Sequence, residues 1–220
     1  MAEPSFLRDT RSAYDSVAAA YAERFQGELA GKPLDRALFA AFAELVQGMG
    51  GGAVADIGCG PGHVAAYLHG LGLTTFGIDL SPEMVAVARR SYPGLRFDEG
   101  SMTALDLPDG HLAGVVAMYS IIHIPPDRLP DVFAEFRRVL APGGYLLVAF
   151  QAGDERRHMT EAFGRPVCVD AYRLPPGHVA GLLTQAGLEL RAQLLREPHE
   201  DVETDQRAYL LARKPAATGS

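Results

Sequence analysis

The chain has 220 residues, 48% of them apolar and 21% charged, with a formal net charge of -7. That is enough material for one sizeable core, and the wrong overall sign for broad attraction to nucleic acid or to an anionic membrane surface. Cys59 and Cys168 give neither a disulfide framework nor a metal-ligand spacing, and the seven histidines form no cluster, so no metal is expected.

No segment approaches the apolar length of a membrane span. Met1-Ala2-Glu3-Pro4-Ser5 also lacks the basic-then-apolar pattern of an export signal. The expectation is one cytoplasmic domain over residues 1–220, monomeric or homodimeric, with a small-molecule partner and neither nucleic acid nor membrane.

Tyr14, Val17, Ala18, Tyr21 and Phe25 recur at helical spacing and predict an amphipathic helix over residues 12–25. Leu34, Leu38, Phe42, Leu45 and Val46 predict a second, set off by Gly27, Gly31 and Pro33. Residues 1–50 thus read as a helical cap that either covers the glycine turn after the first strand or packs on the sheet. Val54 to Ile57 is that strand, short and buried, His63 to His69 a helix, and Thr74 to Asp79 a second strand. Ser81, an N-cap residue with Pro82 and Glu83 behind it, starts the next helix, which ends by Pro93.

Leu95 to Phe97 and Ala113 to Met118 are the third and fourth strands. A helix opens at Pro125-Pro126 and breaks at Ala141-Pro142-Gly143-Gly144, and Tyr145 to Phe150 is the fifth strand. Apolar strands alternating with amphipathic helices predict an α/β fold with a mostly parallel sheet covered on both faces. The polar stretch 151–174 is too long for an ordinary connection and is expected to be a substrate-side insertion with short elements of its own. A helix over 176–186 and two strands, 188–195 and 206–212, come next, with residues 215–220 as a tail.

The most informative stretch is Asp56-Ile57-Gly58-Cys59-Gly60-Pro61-Gly62, a strand running into a glycine turn and a helix. A dinucleotide fingerprint requires glycine where His63 stands, and a phosphate loop requires a Lys that the turn lacks. Asp56 would repel a pyrophosphate and attract an ammonium group. Asp79, 17 residues after Gly62, can accept hydrogen bonds from both hydroxyls of a ribose. A nucleoside with a cationic amino-acid tail satisfies both acids.

These motifs, with Gly77-Ile78-Asp79-Leu80-Ser81 and Arg138-Val139-Leu140-Ala141-Pro142-Gly143-Gly144, resemble those of the class I S-adenosylmethionine-dependent methyltransferases over roughly Val54 to Phe150. The resemblance implies a Rossmann-like seven-stranded sheet ending in an antiparallel hairpin, with S-adenosyl-L-methionine as cofactor. It implies the methionine end against Asp56, Gly58, Cys59 and Gly60, Gly62 also at the cofactor, the ribose on Asp79, and adenine between Leu80 and Met84 near Ser101 and Met102. Where the family often has an acid after the glycine ending its third strand, this chain has Ser101. Met118 and Tyr119 should face the sulfonium, and Tyr14 and Tyr21 are nominated near the cofactor carboxylate.

Several of these residues also have plainer readings. Tyr14 and Tyr21 lie on an apolar stripe and suit core packing equally well, and Cys59 between two glycines is wanted for its size. His123, leaving the fourth strand, either assists an acceptor together with Tyr119 or fixes the loop before Pro125. Arg156 and His158 either recognise an acidic or phenolic acceptor or form a solvated face. The expected activity is methyl transfer to an O, N or C nucleophile of a small molecule by in-line displacement. The alternative is a non-catalytic S-adenosylmethionine-binding regulatory or assembly protein.

Overall fold

In the computed structural model, which describes residues 3–25, 27–199 and 203–216, the five strands β1 (Ala53–Ile57), β2 (Thr74–Asp79), β3 (Arg96–Glu99), β4 (Leu112–Met118) and β5 (Leu140–Gln151) run parallel. With β8 (Glu189–Arg196) and β9 (Arg207–Arg213) they form one seven-stranded sheet, ordered β3-β2-β1-β4-β5-β9-β8, in which β9 is antiparallel to both β5 and β8. The strand order reverses at β1. The chain builds outward through β2 and β3 and returns to β1's other side with β4, and the carboxyl ends of β1 and β4 diverge there into a crevice.

Helices cover both faces. On one, α5 (Leu129–Val139) and α6 (Pro176–Gln185) bury Phe133, Phe136 and Leu183 against Val115, Leu146 and Val148. On the other, α2 (Pro33–Gly48) and α3 (His63–Gly70) bury Phe42, Val46 and Leu68 against Val54, Val116 and Leu147. Neighbouring strand residues alternate between the two faces, so both sides of each strand are apolar. Gly114 lets α2 approach closely, because a Cβ there would stand 2.7 Å from Phe42 Cζ.

The two N-terminal helices divide the roles that the sequence left open. Helix α2 packs on the sheet, whereas α1 (Ser5–Phe25) lies against α4 (Pro82–Ser91) and covers the glycine turn. It begins seven residues earlier than the periodicity predicts. Its anchorage is polar as well as apolar: Ser81 Oγ donates to Asp15 Oδ1 (2.5 Å) and Arg11 Nε donates to the Leu80 carbonyl (3.2 Å). Ser81 also caps α4 by accepting from the Met84 amide.

Two further boundaries differ from expectation, and the long polar stretch forms short elements of its own. A 3-10 turn, Pro126–Arg128, precedes α5, so the helix starts at Leu129. Strand β5 starts at Leu140, which pairs with Leu112 before Pro142-Gly143-Gly144 shifts the register. The long polar stretch folds as an antiparallel hairpin, β6 (Arg156–Ala162) and β7 (Arg165–Tyr172), outside the main sheet and packed on α1. Of the expected tail, residues 217–220 lie outside the described residues. No described helix is long and apolar enough to cross a membrane.

Candidate active site

The glycine turn between β1 and α3 spends its own amides internally. Gly58 N and Cys59 N donate to the Ile78 carbonyl (2.7 and 3.1 Å), Gly62 N to the Cys59 carbonyl (3.0 Å), and Gly60 N to Asp79 Oδ2 (2.7 Å). A phosphate cradle works by offering such amides to an anion, and here none of the four remains free. Asp79 Oδ1 accepts the Ser81 amide (2.9 Å), so one carboxylate ties the end of β2 to both the turn and the start of α4. Asp56 Oδ2 accepts the Ala65 amide (3.1 Å) from α3.

The three glycines have different reasons. All have left-handed φ, 74°, 51° and 85° for Gly58, Gly60 and Gly62. A Cβ at Gly58 would lie 2.2 Å from Ser120 Cβ, and one at Gly62 2.7 Å from Phe97 Cζ, so both positions are packed shut. Gly60 faces open space, its nearest neighbour being Tyr21 Cε1 at 4.0 Å. Gly62, expected at the cofactor, faces the core instead.

A cleft runs over this turn beneath α1. It is lined by Tyr14, Tyr21, Gly58, Gly60, Asp79, Leu80, Met84, Ser101, Met102, Met118, Tyr119 and His123, which brings together most of the residues singled out from the sequence. Asp56 and Cys59 border an adjoining recess on the far side of the turn. Among the described residues, no Lys or Arg lines the cleft. Burial pushes the Asp56 carboxyl up to about 7 and that of Asp79 up to about 6, the latter against the pull of its backbone donors. Both acids would ionise more readily beside a cation. Burial also raises the Cys59 thiol, which sits 4% exposed without a base, as its packing role requires.

Two buried hydrogen-bond chains meet at the cleft. His123 Nδ1 lies 2.7 Å from the Asp170 carbonyl on β7, and a carbonyl only accepts, so Nδ1 carries the proton. Nε2 is then the acceptor for the Tyr14 hydroxyl, also at 2.7 Å. Burial lowers the His123 pKa and favours this neutral ring. The chain Tyr14, His123, Asp170 joins α1, the loop after β4, and the hairpin. In the second chain Tyr209 Oη donates to Asp35 Oδ1 (2.7 Å), which leaves Tyr119 Oη to donate to Tyr209 Oη (2.8 Å). Tyr119 holds φ 55°, a conformation a non-glycine residue adopts only when its surroundings impose it. Lys32 and Arg207 each stand within 6 Å of its ring, at 5.8 and 5.7 Å from the centroid.

Beyond Tyr119 the cleft continues into a cavity of about 290 Å³ between α1 and the β6–β7 hairpin. The two share Tyr14, Tyr21, Tyr119 and His123. Arg156 and His158 are not brought into it. They stand on the outward face of the hairpin, 62% and 49% exposed at the side chain, both bonded to Asp170. In a strand, alternate residues face opposite ways, and it is Met159, Val169 and Ala171 that face the cavity. Sequence patterns do not single out Arg173, Gln151 or Asp35. Gln151 ends a strand whose partner residue is Arg207, Arg173 follows β7 and meets Asp205 32 residues on, and Asp35 resembles an ordinary first-turn helix acid.

Residues 54–144 match the methyltransferase domain family. Among curated relatives, a malonyl-[acyl-carrier protein] O-methyltransferase of Pectobacterium atrosepticum is 34% identical over 113 residues, 51% of this chain and 44% of the relative. A demethylmenaquinone methyltransferase of Chlorobaculum parvum is 36% identical over 92 residues, 41% and 37% of the two chains. The chain thus spans less than half the length of these relatives. Among solved structures, the 1,6-didemethyltoxoflavin-N1-methyltransferase of Burkholderia thailandensis superposes with a TM-score of 0.68 over 98% of this chain and 92% of its own, at 21% identity, a likeness of fold. Matched domain, strand order and glycine turn agree: residues 54–144 are a methyltransferase domain, carried on the fold of the class I S-adenosylmethionine-dependent methyltransferases.

Proposed function

We propose that this protein transfers a methyl group from S-adenosylmethionine to a small-molecule nucleophile by in-line displacement. The observation that carries this reading is the continuous path from the cleft over the glycine turn to the cavity beyond Tyr119, with α1 lining both. The cleft suits this cofactor. Among the described residues it has no basic side chain for a phosphate, and it offers open space at Gly60, with Asp79 in its wall and Asp56 in the adjoining recess.

Asp79 would hold the ribose hydroxyls, Leu80 and Met84 the adenine with Ser101 and Met102 at its edge. Asp56, Gly58, Cys59 and Gly60 would hold the methionine end. When bound, the cofactor supplies a methyl group on a sulfonium, already a good leaving group. What remains for the chain is to hold the nucleophile in line and exclude water, and orientation of this kind contributes about 7–11 kcal/mol. Tyr119 and Met118 stand at the junction where transfer would occur. His123, with both nitrogens engaged, acts in this reading by fixing Tyr14 and the hairpin rather than by free base chemistry. The relatives are named for different acceptors, so no acceptor is inherited from them.

The test is incubation with methyl-labelled S-adenosylmethionine and a pooled metabolite extract, reading label in small-molecule products. Label transfer supports the proposal. Tight cofactor binding with no transfer to any product would instead favour a binding protein of the same fold.

A further inference from the structure

The cavity beyond Tyr119 carries two buried polar atoms of opposite character, each without a partner among the described residues: Nε of Arg173 and Oε1 of Gln151. Buried groups are almost always paired, so orphans in a cavity wall mark where a ligand completes the pairing. Among the described residues, Arg173 alone brings a fixed charge to the lining of this cavity, and its side chain is 11% exposed. Its Nη2 donates to Asp205 Oδ2 (2.6 Å), but that carboxylate also receives Arg157 (3.1 Å) and the Thr204 hydroxyl (2.9 Å). Arg173 thus shares Asp205 with Arg157, and meets it through Nη2 alone. The remaining walls are mainly apolar, among them Val17, Phe25, Met159 and Phe163.

The approach to the cavity has the same sign. Past Tyr21, Tyr119 and Gln151 it widens into a cleft of about 750 Å³ that presents Arg24, Lys32 and Arg207 against Glu28 and Glu203. Glu203 is bonded on both oxygens by Arg196 (2.8 and 3.0 Å), so among the described lining residues the cations Arg24, Lys32 and Arg207 outnumber the acids.

We propose that the acceptor is a small aromatic acid bearing a hydroxyl or amino group, its carboxylate read by Arg173 and its donor group by the Gln151 carbonyl. The inference rests on the methyltransferase reading, since that reading assigns this cavity to the acceptor. One lining cation matches one negative charge, and a planar guanidinium matches a carboxylate. The apolar walls suit a ring, and the cavity lies at the small end of the range for ligand sites, about 300–1,000 Å³. An orphan acceptor beside Tyr119 asks for a donor on the ligand.

The experiment uses the full chain. S-adenosylhomocysteine is titrated first by calorimetry, and the saturated protein is then titrated with benzoate, its three hydroxy isomers, benzamide, phenyl phosphate and acetate. Benzoate is expected to bind at least about tenfold tighter than benzamide or acetate, and one hydroxybenzoate at least about threefold tighter than benzoate. Arg173→Gln should abolish the preference for the acid over the amide, whereas Arg173→Lys should retain part of it. Gln151→Leu should erase the hydroxyl's gain and leave benzoate unchanged.

Benzamide binding as well as benzoate, phenyl phosphate binding tighter than either, or no probe binding at all would overturn the proposal. So would an undiminished preference for the acid in Arg173→Gln. If S-adenosylhomocysteine itself does not bind, the methyltransferase reading fails and takes the acceptor with it. That outcome is recorded before any acid is added.

Discussion

Asp79 Oδ2 accepts a 2.7 Å hydrogen bond from the Gly60 amide, so the acid proposed for the cofactor ribose is also the strut that shapes the turn beneath it. Binding and architecture share one carboxylate. Asp79→Ala should weaken S-adenosylhomocysteine binding by about 1.5–3 kcal/mol, the scale of hydrogen bonds to a charged group. It should also lower the melting temperature, since the Gly60 and Ser81 amides lose their acceptor. Calorimetric titration reads the first effect; an unchanged dissociation constant would remove Asp79 from the site.

The glycines of the turn separate stability from binding. Gly58→Ala forces a Cβ to 2.2 Å from Ser120 Cβ at a left-handed φ, and should cost roughly 2–5 kcal/mol in urea unfolding. Gly60→Ala meets nothing closer than 4.0 Å and should cost only the left-handed strain, about 1–2 kcal/mol. Its methyl group would nevertheless occupy the cleft, so cofactor affinity should fall more than stability does. Equal stability losses in the two variants would contradict this division.

Asp56 makes a prediction about pH. Its folded pKa is raised from 3.8 to about 7 by burial, so between these values the folded state holds a proton that the unfolded state has released. The resulting contribution to stability is present at pH 4 and is lost as pH rises toward 7. Asp56→Asn can still accept from the Ala65 amide and has no charge to bury. Relative to the parent, its melting temperature should climb from pH 4.5 to about pH 7 and level off by pH 8. A pH-independent difference would show that Asp56 ionises normally in the folded protein.

The Tyr14 and His123 side chains should behave as one unit, because the hydroxyl of the first is the only donor to Nε2 of the second among the described residues. In a double-mutant cycle with Tyr14→Phe and His123→Asn, the pair should lose less stability than the sum of the singles by about 0.5–1.5 kcal/mol. His123→Asn should leave cofactor affinity nearly intact while lowering turnover on any acceptor found by the labelling screen. Additive stability losses would mean that the contact contributes nothing.

Local patterns carried a good deal of this. Strand-turn-helix punctuation around Gly58 and the apolar alternation of β1 to β5 identify the sheet. The absence of a phosphate-binding Lys, with acids at 56 and 79, selects the cofactor class. These signals are legible because each is written in residues adjacent in sequence, where backbone geometry and charge act directly. The cap was less legible. Periodicity marks a helix but does not say whether its stripe meets a sheet or closes a cleft, and α1 and α2 turned out to do one each.

What the chain's order could not decide is the acceptor side. Arg156 and His158 looked like recognition residues because they are polar and lie in the insertion, yet hairpin alternation turns them outward to Asp170. Arg173, Tyr209 and Asp35 matter through partners 32 to 174 residues away. Only the folding of α1 and the hairpin across the end of the sheet creates the cavity and leaves two buried polar atoms in its wall unpaired. Sequence alone determined the glycine turn and the acids at 56 and 79, because each is written in a short contiguous stretch. Tertiary structure decided the shape and lining of the cavity between α1 and the hairpin, because burial and orphaned hydrogen bonds exist only once distant segments meet.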